Sequence, residues 1–383
     1  MGFPAVALIG GGQLARMLQQ AAIPLGVRLQ LLADRDDDSA AQVIRDVHVG
    51  DYRDLAALRS VVAGCAVVTF DHEHVPTKHL HALAETGIAV RPGPDALLHA
   101  QDKLAMRERL TAAGIPVPRW RRVGTVAELA GFAAELGGWP VVLKTARGGY
   151  DGRGVWLVES AAEAEPVLAA AASASGPGLL AEERVDFVRE LAVVLARSPY
   201  GQVAVYPVVE TVQRGGICRE VLAPAPGLRT EVALAAVQTA MTIAAELDCT
   251  GVLAVEMFET ARGVLVNELA MRPHNSAHWT IDGAVTSQFE QHLRAVLDLP
   301  LGTPTARAPA SVMVNVLGGD DPDVYRRYLH CMARDPALRI HMYGKQVRPG
   351  RKIGHVTVSG SGYHELRERA WHAADYLSGA IDG

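Results

Sequence analysis

Cysteine is scarce in this 383-residue sequence: Cys65, Cys218, Cys249 and Cys331 stand far apart, with no CxxC pair and no zinc-ligand spacing. That usage excludes a disulfide framework and reads as buried thiols in a reducing compartment. No apolar stretch approaches the ~20 residues needed to span a bilayer. Met1 to Pro4 lacks the basic start of a signal peptide, and the first apolar run is broken by Gly10-Gly11-Gly12. An excess of positive charge is also missing. Lys plus Arg number 37 and Asp plus Glu 42, a formal net charge of −5 that gives no support to general nucleic-acid binding. With 49% hydrophobic and 21% charged residues, the chain has too much apolar surface to remain disordered. A cytoplasmic, multi-domain protein without a membrane segment is expected.

What is present begins with alternating strand and helix signals. Ala5-Val6-Ala7-Leu8-Ile9 is a continuous apolar run, as in a buried parallel strand. A glycine turn and a helix from Gln13 follow, and two further strands are expected at Arg28 to Leu32 and Cys65 to Phe70. This alternation predicts an open α/β sheet over the first hundred or so residues. Gln101 to Ala113 reads as one helix ending at Gly114, and Pro116 and Pro118 then mark the passage to a second unit. Pro300 to Pro309 is the clearest linker. Beyond it, strands are expected at Val312 to Leu317, Arg339 to Met342 and Ile353 to Ser359. The Ala-rich stretch from Ala161 to Ala174 reads as a surface helix, and no internal repeat is visible.

Gly10-x-Gly12-x-x-Ala15 has the spacing of a dinucleotide-binding turn, with Asp34 available as its acidic partner, yet a plain strand-to-helix turn reads the same way. Residues Val141 to Val158 say more. Two apolar strands flank the loop from Gly148 to Gly154, and Lys144 stands near the end of the first strand. Such glycines let backbone N–H groups approach phosphate oxygens while a lysine adds a point charge; no Gly-Lys-Ser/Thr is present to make a Walker loop. Leu179 to Val185 is a strand ending in acidic residues, suited to an adenine edge and ribose hydroxyls. Val252 to Phe258 and Val264 to Leu269 are expected to form a hairpin across Thr260 to Gly263, in which Glu256, Asn267 and Glu268 interrupt apolar runs. Carboxylates in strands need partners, which points to a hard cation such as Mg²⁺. A strict turn puts Glu256 opposite Asn267, whereas a bulge at Gly263 puts it opposite Glu268. Arg272 and His274 follow directly and suit an anionic substrate; alternatively, the segment approaches a helix capped by Asn275 or Ser276. His72-Glu73-His74 lacks the helical i, i+4 spacing of a zincin. Lys345, Arg348, Arg351 and Lys352 crowd one turn, a compact cluster suited to a single phosphate.

In order, these pieces resemble the ATP-grasp ligases of purine biosynthesis, and among them the 5-(carboxyamino)imidazole ribonucleotide synthase family. The resemblance rests on Gly10 to Met17, Gln101 to Leu104, Gly148 to Gly154, Asn267 to Thr280 and Lys345 to His355, and spans essentially the whole chain. Tyr150 to Gly154 together with His274 to Trp279 is its most specific part. The resemblance implies an α/β (α+β overall) ATP-grasp fold. Its parts would be an N-terminal open parallel α/β (pre-ATP-grasp, Rossmann-like) domain over 1–100, an ATP-grasp domain over 101–300 with a lid at 147–155, and a small C-terminal β-rich domain over 301–383.

Carried over by residue, the resemblance gives ATP to Lys103, Lys144, Gly149, Tyr150, Asp151, Gly152, Arg153, Gly154 and Val155. It adds Glu182, Glu183, Arg184 and Val185 for adenine, Glu190 for ribose, Asn267 beside the nucleotide, and Gln213 where the family often has histidine. Glu256 and Glu268 would hold Mg²⁺, with Mn²⁺ as a substitute. Gln13, Glu73, Tyr150, Asp151, Arg153, Arg272, His274, Asn275, Lys345, Arg351 and Lys352 would surround aminoimidazole ribonucleotide. Arg272, Lys144 and Glu268 are the expected catalytic residues. The implied reaction is ATP-dependent carboxylation of the ribonucleotide amine by bicarbonate through carboxyphosphate and CO₂, in a homodimeric, cytoplasmic enzyme without nucleic-acid or membrane partners. The competing expectations are a formate-dependent glycinamide ribonucleotide transformylase, a biotin carboxylase, an NAD-dependent dehydrogenase resting on Gly10 to Ala15, and a non-catalytic nucleotide-binding regulator.

Overall fold

A computed structural model describes residues 2–149, 152–173 and 178–381. Five parallel strands open the chain, in the spatial order Asp46–Val49, Arg28–Ala33, Ala5–Ile9, Val67–Phe70 and Ala89–Val90. The apolar first strand sits in the middle and all five of its residues are buried, as a central parallel strand requires. Two short edge strands, Asp46–Val49 and Ala89–Val90, lack a strong apolar run and were not legible as strands.

A second, four-stranded antiparallel sheet has the order Trp120–Val123, Leu179–Glu183, Val141–Thr145 and Val155–Val158. Helix Val126–Leu136 packs on it, started by a reciprocal Thr125–Glu128 capping box and stopped by Gly137 at φ +95°. The expected surface helix at Ala161–Ser173 buries Ala164 and Leu168 against the same sheet.

The largest sheet runs Gly263–Ala270, Gly251–Thr260, Arg189–Arg197, Val209–Arg214, Ile217–Ala223, Ala310–Leu317, Lys352–Gly360 and Arg339–Met342, with Val203–Val205 also paired to Arg189–Arg197. The strands after the proline-rich stretch therefore continue this sheet, through pairing such as Glu220 with Val314. Arg367 on the final helix, Tyr363–Ser378, fastens the junction by a two-pronged ion pair with the fully buried Glu220, at 2.8 Å for each prong.

Helix Gln13–Ala22 joins the first unit to the rest, with Leu14 and Leu18 in one core with Phe289 and Leu293 of helix Gln288–Val296. His292 adds a polar stitch beside that core. Val252 donates its N–H to His292 Nδ1 at 3.1 Å, so Nε2 carries the proton and donates to Thr69 Oγ1 at 2.8 Å. Burial drives the His292 pKa down from 6.5 to about 3. His278 and His355, equally buried, are displaced in the same direction, chiefly by burial. A histidine with a depressed folded pKa contributes stability that is complete above its unfolded value and is lost as pH falls toward the folded one. Acidification from about pH 6.5 should therefore cost up to about 1.4 kcal/mol per pH unit for each of these histidines. Thermal melts across that range should show the midpoint falling. His292→Gln, which keeps both hydrogen bonds within reach, should flatten the decline, and an unchanged slope would assign the acid sensitivity elsewhere.

Candidate active site

The first glycine turn does not hold a ligand phosphate. Asp71, just beyond the strand Val67–Phe70, accepts hydrogen bonds from Gly12 N at 3.0 Å and Ala15 N at 2.7 Å. Its carboxylate thus occupies the anion-attracting N-terminus of helix Gln13–Ala22. The approach is so close that a Cβ on Gly12 would lie 2.1 Å from Asp71 Oδ2. Burial raises the Asp71 pKa to about 6 despite these two donors and the charges of Arg272 and Lys345. The dehydrogenase reading, which needed this helix end for a pyrophosphate, loses its only support.

The stretch expected as one helix from Gln101 breaks at Asp102. Helix Pro94–Gln101 stops there and Lys103–Ala112 begins, because Asp102 is extended and its carboxylate caps Leu104 N and Ala105 N. Arg147, where the glycine loop starts, clamps the other oxygen of Asp102 at 2.8 Å. Lys103 N–H also donates to Ala146 O at 2.8 Å, so the root of the loop is fastened to the helix start that presents Lys103.

Across from this helix lies the acidic hairpin. The structure sets Glu256 opposite Glu268, with the register shift beside it, so Met257 faces Val266 and Asn267 is the extra residue. The bulge is thus at Asn267 and not at Gly263, where the sequence offered it; Thr260 pairs normally with Gly263. Lys103 Nζ is in ion-pair contact with Glu268. Lys144 Nζ reaches Glu182 at 2.7 Å and Asn267 Oδ1 at 2.8 Å. Burial works against the Glu268 carboxylate, yet Lys103, Lys144 and Arg107 outweigh it and hold its pKa below the usual range. Glu256 has the opposite fate, pushed to about 7 by burial and then by Glu268 and Glu190. Two facing carboxylates with an amide oxygen beside them are oxygen donors of the kind that a hard cation takes. Among the described residues no group of three or more His, Cys, Asp or Glu side chains is arranged to hold a metal ion.

Glu182 and Glu183 part company because neighbours in a strand face opposite ways. Glu182 is buried with Lys144, whereas Glu183 turns out to Arg119 at 2.9 Å. Arg184 is exposed and Val185 half-buried beside them. Glu190 is raised by burial and shares a hydrogen bond with Gln213, so these two expected nucleotide contacts meet. Opposite Glu190 stands Phe258, on the Glu256 face of its strand, its ring stacked on Phe187 at 4.8 Å. Phe258 was not singled out in the sequence, although the i, i+2 alternation from Glu256 marks its face. In the glycine loop, Arg153 is exposed, Val155 starts a strand, and Gly149, Gly152 and Gly154 all have positive φ, between +75° and +84°. Tyr150 and Asp151 lie outside the described residues.

A second cluster adjoins the hairpin. Glu73 accepts Met271 N at 3.2 Å and pairs with Arg272 Nε at 2.8 Å, so both its oxygens orient the segment that follows the hairpin. His274, not Asn275 or Ser276, caps the short turn Asn275–Ala277. The remaining nitrogen of His274, Nε2, faces Glu256 at 3.5 Å, and burial with the charges of Arg272 and Lys352 lowers its pKa to about 3. Asn275 is engaged with Asn315 through a reciprocal amide pair at 2.9 and 2.8 Å. The basic turn sits on the first unit: Gln42 Nε2 donates to Gly344 O at 2.8 Å, and Lys345 Nζ meets Gln13 Oε1. Arg351 is exposed and donates to Gln346 O at 3.2 Å, while Lys352 is half-buried and its charge reaches Glu256 and His274.

Lysines reaching in from a helix and a four-stranded sheet toward paired carboxylates on a second sheet define an ATP-grasp enzyme. Consistent with this, residues 108–289 match the ATP-grasp domain family, residues 4–101 the ribonucleotide synthetase preATP-grasp domain, and residues 311–369 the phosphoribosylaminoimidazole carboxylase C-terminal domain. The N5-carboxyaminoimidazole ribonucleotide synthase of Mycobacterium bovis is 55% identical over 98% of this chain and 88% of its own. The solved N5-carboxyaminoimidazole ribonucleotide synthetase of Thermus thermophilus is 38% identical, with a TM-score of 0.86 over 99% of both chains. The Aspergillus clavatus N5-carboxyaminoimidazole synthase, solved with ADP and 5-aminoimidazole ribonucleotide, is 34% identical with a TM-score of 0.88, covering 99% of this chain and 100% of that one. The chain belongs to the N5-carboxyaminoimidazole ribonucleotide synthase family.

Proposed function

We infer that this enzyme carboxylates the exocyclic amine of 5-aminoimidazole ribonucleotide with bicarbonate, converting ATP to ADP and phosphate, in purine biosynthesis. The observation that carries the reading is the meeting of Lys103, Lys144, Glu256 and Glu268 beside the Glu73–Arg272 clamp, in a chain of this family. Lys144 and Lys103 neutralise the triphosphate, and Phe258 offers its ring to the base while Glu190 meets the ribose. Glu256, Glu268 and Asn267 would hold Mg²⁺, which supplies charge neutralisation on the transferring phosphoryl group. Bicarbonate oxygen attacks the γ-phosphorus and ADP leaves. Carboxyphosphate then breaks its C–O bond to give CO₂ and phosphate, and the amine captures the CO₂ with loss of a proton. Arg272, held by Glu73, stabilises the anionic bicarbonate and carboxyphosphate. The glycine loop excludes water that would hydrolyse the intermediate.

Lys345, Arg351 and Lys352 anchor the ribonucleotide phosphate with Gln13, at a distance from the reacting nitrogen that makes the contact one of positioning. Lys345→Ala should raise the KM for the ribonucleotide about 10- to 100-fold, the range for a lost charged hydrogen bond, with a smaller change in kcat. An unchanged KM in steady-state assays would give the basic turn another task. The family reading extends to a cytoplasmic homodimer, checked by light scattering in solution; among the described residues no helix is long and apolar enough to cross a membrane. ADP formation measured with each substrate pair tests the assignment. Turnover should require ATP, bicarbonate and aminoimidazole ribonucleotide, and turnover with formate and glycinamide ribonucleotide instead would overturn it.

A further inference from the structure

Arg107 lies one helical turn after Lys103 and has no exposed surface. Its Nε pairs with Glu182 Oε1 at 2.5 Å, and its Nη2 donates to the backbone carbonyl of Asn267 at 2.7 Å. Lys144 bridges the same two residues, at Glu182 Oε2 and Asn267 Oδ1. The four residues therefore close a ring: Arg107, at the backbone carbonyl, and Lys144, at the side-chain amide, each join Glu182 on the four-stranded sheet to Asn267 on the large one. The ring meets the large sheet at its irregular point. Asn267 is the bulged residue, opposed by none on the facing strand, and its carbonyl is the one Arg107 holds. If this residue slipped back into the regular ladder, Glu256 would face Asn267 and the carboxylate pair would be lost. Arg107 also carries a buried Nη1 with no partner among the described residues, an arrangement that costs stability and so argues against a purely structural purpose.

We propose that Arg107 is a positioning residue for nucleotide and cation binding: by holding the Asn267 carbonyl it fixes the bulge that sets Glu256 against Glu268, and by holding Glu182 it orients Lys144. The inference rests on the ATP-site reading above. Lysine at this position keeps a charge for Glu182 but lacks the planar fork that reaches both acceptors.

The test compares wild type with Arg107→Lys by calorimetric ADP titration, with and without Mg²⁺, and by steady-state kinetics. The variant should keep a melting temperature near that of wild type and lose about tenfold of the Mg²⁺-dependent gain in ADP affinity. Its KM for ATP should rise about tenfold, while the KM for the ribonucleotide stays within about twofold. Wild-type Mg²⁺ dependence in a folded variant would overturn the proposal, and so would an equal loss of affinity for ATP and ribonucleotide. Should Arg107→Lys not fold, Arg107→Met combined with Glu182→Gln removes both buried charges and is read the same way. A wild-type protein that bound no ADP would instead refute the ATP-site reading itself.

Discussion

Glu268→Gln is expected to lower kcat by about 10²- to 10³-fold while leaving the fold intact. Glutamine preserves the shape of the side chain and removes the one carboxylate of the pair that its surroundings keep ionised, through Lys103, Lys144 and Arg107. Glu256 alone leaves a single carboxylate where the facing pair supplies two. Several kcal/mol of charge stabilisation on a transferring phosphoryl group corresponds to that loss of rate. The strand should stay in register, since the Asn267 carbonyl remains bonded to Arg107. Circular dichroism and ADP-release kinetics on the same sample check both halves, and near-normal turnover would refute the role of Glu268.

The second large effect is expected from Lys144→Met, which should reduce kcat/KM for ATP by about 10²- to 10³-fold through loss of a buried phosphate partner. Methionine fills the volume of the aliphatic stem, but Glu182 and the Asn267 amide both lose a donor. Stability should fall by about 1–3 kcal/mol, the range for a buried acceptor left without one partner. The decline is limited because Glu182 keeps Arg107. Urea unfolding and initial rates at varied ATP measure the two effects. A variant with wild-type kcat/KM would remove Lys144 from the nucleotide site.

The two predictions mark where sequence reading was strong and where it stopped. Glu256, Asn267 and Glu268 were legible because polar residues inside apolar strand runs demand partners and these three fall within one hairpin, while Lys144 stood out as the lysine that ends a strand before a glycine-rich loop. A continuous apolar run likewise revealed Ala5–Ile9, and the strand expected at Val312 to Leu317 begins two residues earlier, at Ala310. The register of the hairpin was not legible, because it is fixed from outside by Arg107, a residue that nothing local distinguishes from any other helical arginine. The break at Asp102 was hidden for a similar reason: its cap is reinforced by Arg147, from the far side of a second strand. The glycine turn at Gly10 left an anion site and a plain strand-to-helix turn equally open. Its spacing advertises an anion site, and only the fold shows that Asp71 fills it. Asn275, expected at the substrate, has its amide engaged by Asn315, a partner in a strand that reaches it only once the large sheet has formed.

The central claim, that bicarbonate oxygen attacks the γ-phosphorus in this site, is tested most directly by isotope transfer. With bicarbonate carrying ¹⁸O at all positions, turnover in the presence of ATP and aminoimidazole ribonucleotide should deliver one ¹⁸O atom to each phosphate released, as mass spectrometry would record. Unlabelled phosphate, formed at the same rate as ADP, would mean that water is the nucleophile and would contradict the account.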